Sequence, residues 1–87
     1  MANKEYDRLY IQSLLAFNIV CKMEEQRVSV QELADACEVT TSSIKQLINC
    51  DQFVSARVLA SICNCLKTTP SELFKERKND EKSAIST

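Results

Sequence analysis

Five cysteines, Cys21, Cys37, Cys50, Cys63 and Cys65, are the side chains here best suited to metal ligation or thiol chemistry. Their number is odd and no two stand in a Cys-x-x-Cys pair. Cys63 and Cys65, two apart, point to nearly opposite sides of any helix that carries them. They read as reduced thiols serving as small apolar residues. The chain has no histidine, which removes the commonest general base and metal ligand. It also has no glycine, which excludes phosphate-cradling loops and dinucleotide fingerprints. The expectation is a protein that is not an enzyme, with no cofactor and no metal site.

The elements that could position anything else are bounded by size. Eighty-seven residues make one domain, able to bury roughly 60–65% of its unfolded surface. A hydrophobic share of 45% against 26% charged places the chain among globular rather than disordered sequences. Residues 1–27 carry four basic and four acidic groups, residues 28–74 three and five, and residues 75–87 four and three, for a net of −1. A nucleic-acid binder usually carries a basic excess, and this chain has none. The apolar run from Ile11 to Cys21 resembles a lipoprotein leader only superficially. Glu5 and Asp7 stand where a leader is positive, and Val20 where a small residue belongs. Gln12, Ser13 and Asn18 interrupt the run, which is too short to span a bilayer. The expected location is the cytoplasm, with no membrane partner.

No stretch alternates with period two, and helix signals dominate. From about Lys4 to Glu25, Tyr6, Tyr10, Leu14, Phe17 and Cys21 recur at three or four, with Leu9, Leu15, Ile19 and Met23 on an adjacent stripe. Together these predict one long helix with more apolar surface than a single core contact needs. Tyr6, Tyr10, Leu14 and Phe17 are therefore candidate contacts to a second chain. Ser29-Val30-Gln31-Glu32 reads as a capping box opening a helix from about Val30 to Cys37. Thr40 caps another from about Thr41 to Asn49, so only Glu38, Val39 and Thr40 separate the two and they must cross steeply. Ser55 opens a helix from Ala56 to about Leu66, and Thr69-Pro70-Ser71-Glu72 opens a last one. From Lys75 onward the sequence reads as a charged, fraying and disordered tail. The expected organisation is residues 1–27 as the long helix, 28–74 as the central unit and 75–87 as the tail.

The wording of that central unit is specific. Leu33-Ala34-Asp35, Val39-Thr40-Thr41-Ser42-Ser43-Ile44, Leu59-Ala60-Ser61-Ile62-Cys63 and Leu66-Lys67-Thr68-Thr69-Pro70-Ser71-Glu72-Leu73-Phe74 together resemble the lambda repressor and Cro-like helix-turn-helix family from Val28 to Phe74 without a gap. The resemblance implies an all-α, five-helix DNA-binding domain whose third helix enters the major groove. Carried over position by position, it puts Thr41, Ser42, Lys45 and Gln46 at base edges, with Gln46 suited to adenine and Lys45 to guanine or phosphate. Gln31, Ser43, Asn49, Gln52, Ser55 and Arg57 become phosphate contacts. The partners implied are double-stranded DNA and a second copy of the chain on a near-palindromic site.

Departures from the family pattern carry information too. Glu38, Cys50 and Lys67 replace its glycines, requiring either left-handed non-glycine residues or altered turns. Val30 stands where a phosphate-binding glutamine is common, and Val20 and Met23 where basic residues are common near the end of the first helix. Two function classes follow. One is a sequence-specific transcriptional regulator of small repressor type, as in phages and mobile elements. The other is a protein-binding antirepressor or inhibitor on the same scaffold, its partner a protein, with weak or no DNA binding.

Overall fold

A computed structural model of the chain describes residues 6–76. Among these are five helices: α1 (Arg8–Gln26), α2 (Val30–Cys37), α3 (Thr41–Ile48), α4 (Ala56–Leu66) and α5 (Pro70–Leu73). Each begins at a short polar residue with extended backbone, Asp7, Ser29, Thr40, Ser55 and Thr69, whose side chain accepts from the amide three residues on. Each such cap stabilises its helix by about 0.5–2 kcal/mol. At Ser29 both halves of the box are closed: Glu32 N donates to Ser29 Oγ at 3.1 Å, and Ser29 N to Glu32 Oε1 at 2.8 Å.

The helix ends are equally uniform. Arg27, Glu38, Cys50 and Lys67 all adopt left-handed backbone, with φ of 57°, 60°, 66° and 52°. The amide after each reaches back five residues: Val28 to Met23 O, Val39 to Ala34 O, Asp51 to Gln46 O and Thr68 to Cys63 O, all within 2.8–3.0 Å. This is the Schellman closure, normally built on glycine, here built four times without one. The expected departures at Glu38, Cys50 and Lys67 therefore take the left-handed form, and Arg27 joins them.

Side chains fully withdrawn from water come from every helix: Leu15 and Ile19 of α1, Leu33 and Cys37 of α2, Ile44 of α3, Ile62 and Leu66 of α4, and Leu73 of α5. Helix α2 packs on α3 and α4, while α1 lies against α3, α4 and α5. Two amides on α1 lock this arrangement. Asn18, buried, donates through Nδ2 to Leu73 O at 2.8 Å and Lys75 O at 3.1 Å, and Gln26 Nε2 donates to Leu66 O. The first helix thus supplies partners for carbonyls that the ends of α4 and α5 leave open.

The long helix differs from expectation at its start. Asp7 accepts from Tyr10 N at 2.9 Å and fixes the first turn at Arg8, so Tyr6 precedes the helix; Lys4 lies outside the described residues. The core takes the stripe of Leu15, Ile19 and Met23, with Ala16. Tyr6, Leu9 and Phe17 stay half or more exposed, and Leu14 is half-buried. The Tyr10 hydroxyl donates to the Glu76 carboxylate of the same chain, and its ring lies 5.6 Å from that of Tyr6. Helix α3 ends at Ile48, with Asn49 as its cap. The expected tail lies, from position 77 on, outside the described residues.

Candidate nucleic-acid interface

The corner between α2 and α3 is made by three residues with separate tasks. Glu38 turns the chain through the left-handed region, and its amide closes on Ala34 O and Asp35 O. Val39 packs on the core, and Thr40 caps α3. With its inner face held by Ile44 and Leu47, α3 turns a polar stripe outward at helical spacing. Ser42, Lys45 and Asn49 are exposed, with Gln46 partly covered beside them. Thr41 is partly buried on the flank it shares with Ile48. Ser43 is partly buried on the opposite flank, and its hydroxyl accepts from Thr40 Oγ1 at 3.1 Å.

Ser43 also borders a hollow of about 200 Å³ between α3 and the loop to α4, lined further by Val39, Leu47, Gln52, Phe53 and Val58. Gln52 is exposed at this hollow, and Arg57 is exposed in the first turn of α4. The Ser55 hydroxyl is engaged as the cap of α4, accepting from Val58 N at 3.2 Å. This flank therefore gathers Ser43, Gln52 and Ser55 beside the α3 stripe.

The other flank is built differently. Gln31 is exposed, and its amide donates to Asp35 Oδ1 at 3.0 Å across one turn of α2. At the head of α2, Val30 joins Val20, Met23, Val28 and Ile48 in a shallow apolar dent of about 370 Å³, rimmed by Glu24 and Arg27. Sequence reasoning overlooked two residues, one on each flank of α3. One is Asp35, whose i, i+4 spacing to Gln31 was the available signal. The other is Phe53, a half-exposed aromatic in a polar loop.

The five cysteines are free, and no metal-holding group of histidine, cysteine or carboxylate side chains occurs among the described residues. Burial pushes the Cys63 thiol up from its ordinary range. Burial does the same to Cys37, helped by nearby Cys65 and opposed by Arg57. Low-pKa nucleophiles have the opposite character.

The profile of the Cro/C1-type HTH DNA-binding domain matches residues 18–77, well over half the chain. The chain belongs to that family. This Cro/C1-type protein is similar in fold to the crystal structure of a hypothetical transcription factor from Neisseria, with a TM-score of 0.74 over 95% of each chain, at 14% identity. At that identity the likeness speaks for the fold. A search of curated protein sequences finds no match. Among the described residues no helix is long and apolar enough to cross a membrane.

Proposed function

We propose that this Cro/C1-type protein is a sequence-specific transcriptional regulator of small repressor type, acting in the cytoplasm. Its helix α3 lies in the major groove of double-stranded DNA. Ser42, Lys45 and Gln46 meet base edges, with Thr41 at their side. Asn49, Gln52, Ser43, Ser55 and Arg57 face phosphates from one flank. The observation that carries this reading is the outward stripe of Ser42, Lys45 and Asn49 on a helix whose other side is fixed in the core. A second copy docks through Tyr6, just before α1, and the amino-terminal part of that helix; Tyr6 and Leu9 are about 60% exposed and Leu14 is partly so. In this division of labour residues 28–74 bind and the long helix joins copies.

A mobility shift at two salt concentrations tests it. The probe is a duplex enriched from a random-sequence pool by the wild-type protein. Binding should weaken steeply with salt, and Lys45→Ala with Gln46→Ala should abolish the shift. One observation favours a second reading. The head of α2 offers the apolar dent of Val20, Val28, Val30 and Ile48, which suits an apolar side chain of a protein partner better than a phosphate. An antirepressor of this kind would give no enriched duplex.

A further inference from the structure

Phe53 sits in the loop between α3 and α4 with 50% of its surface in water. It lies outside both the buried cluster and the partly buried side chains packed against that cluster. An aromatic ring left this open forgoes much of the stabilisation its burial would bring, and nothing in the core requires it. Its setting is polar, with Asp51 exposed two residues earlier. Gln52 precedes it, Ser55 and the start of the eleven-residue α4 follow, and Arg57 stands exposed in the first turn of that helix. The ring also borders the hollow that Ser43 lines, on the flank of α3 next to the stripe of Ser42, Lys45 and Asn49. An apolar plate therefore adjoins groups whose charge and dipole draw phosphate.

Resting on the reading of α3 as the groove helix, we propose that Phe53 is an apolar DNA contact. Its ring meets the hydrocarbon edge of the duplex beside α3, either the C–H surface of a deoxyribose or the 5-methyl group of a thymine, while Gln52 and Arg57 hold adjoining phosphates. Both targets offer the same chemistry, a patch of C–H bonds within a polyanion. The exposed Arg57 and the amino-terminal end of α4, together with the adjoining α3 stripe, favour this partner over an apolar protein surface.

Fluorescence anisotropy with the enriched duplex tests the contact at three salt concentrations, using wild type, Phe53→Ala, Phe53→Leu and Arg57→Ala. Removing the ring should weaken binding about tenfold, in line with burying half a phenylalanine. The salt slope should not change, because no counterion is released by an apolar contact. Phe53→Leu should recover most of the loss, and Arg57→Ala should flatten the slope by about one phosphate contact. Thymine-to-uracil replacement, position by position, separates the two targets. A position whose replacement weakens wild type but not Phe53→Ala identifies the methyl, and no such position identifies the sugar. Phe53→Ala binding as tightly as wild type overturns the contact and leaves the α3 reading standing, as does a loss accompanied by a flatter slope. A wild type that enriches no duplex, or a Lys45→Ala, Gln46→Ala double variant that binds unimpaired, overturns the α3 reading and Phe53's role with it.

Discussion

Four helix ends closed by non-glycine residues in the left-handed region make a stabilisation experiment with a defined size. An L-residue there costs roughly 1–2 kcal/mol from the clash of Cβ with the following carbonyl. Glycine removes that clash but gives up about 0.5–1 kcal/mol through the greater freedom of the unfolded chain. Glu38→Gly and Lys67→Gly should therefore each stabilise by about 0.5–1 kcal/mol, since both side chains are exposed. Cys50→Gly should gain less, because its thiol donates to Ser13 Oγ at 3.8 Å. The sites lie at the ends of three different helices, so the gains should add. A triple variant would reach about 1.5–2.5 kcal/mol and raise Tm by about 4–8 °C per kcal/mol in a domain of this size. Thermal melts followed by circular dichroism read the result. Glu38→Ala is the decisive control, because it loses the carboxylate yet keeps Cβ and should stay near wild type. If the glycine variants melt no higher than their alanine counterparts, backbone strain at these ends is not what the left-handed angles imply.

Three further outcomes follow from single contacts. Asn18→Ala strands two carbonyls at the end of α5 and should cost about 2 kcal/mol, read as a lowered denaturation midpoint; an unchanged midpoint would show that Leu73 O and Lys75 O find water instead. Burial holds the thiols of Cys37 and Cys63 protonated above their ordinary pKa of 9.0. Their contribution to stability is thus intact below that pH and is lost as pH climbs towards the raised folded values. Denaturant midpoints should fall from pH 8 to pH 10, less so in Cys37→Ala, and a flat profile would contradict the assignment. Asp35→Ala releases the Gln31 amide and removes a negative charge beside the proposed DNA surface. It should tighten duplex binding by about two- to fivefold, measured by anisotropy at fixed salt; weaker binding would mean that the Gln31–Asp35 pair itself positions α2.

The short helices were legible because their signals are local. The start of α2 at Val30, of α3 at Thr41, of α4 at Ala56 and of α5 at Pro70 each follow from a hydroxyl cap one residue earlier, and a cap needs only its neighbours. What was not legible depends on contacts far apart in sequence. Two apolar stripes run along α1, and sequence alone does not say that the core takes Leu15, Ile19 and Met23. The choice comes from Asn18 and Gln26, which must reach carbonyls 40 to 57 residues away and so fix the rotation of the helix. The candidate site divides the same way. The outward stripe on α3 follows from helical period, whereas the pairing of Gln31 with Asp35 and the hollow beside Phe53 require coordinates.

The two sides of α3 are unequal, and that inequality bears on how a duplex could be held. On the side of the loop to α4, Ser43, Gln52 and Ser55 line one hollow. On the side of α2, Gln31 is tied to Asp35 and Val30 belongs to an apolar dent. A helix clamped by phosphate contacts on both flanks has its register fixed within one half-site; one clamped on a single flank does not. Residues 28–74 also carry a net charge of −2, from three basic and five acidic groups, so counterion release gives each copy little affinity of its own. Two weak half-sites bound by linked copies gain through effective concentration, by about 10²–10⁴ over either alone. Under the regulator reading, the exposed Tyr6 and Leu9 on the amino-terminal side of α1 are then as necessary to DNA binding as Lys45, although neither would touch DNA.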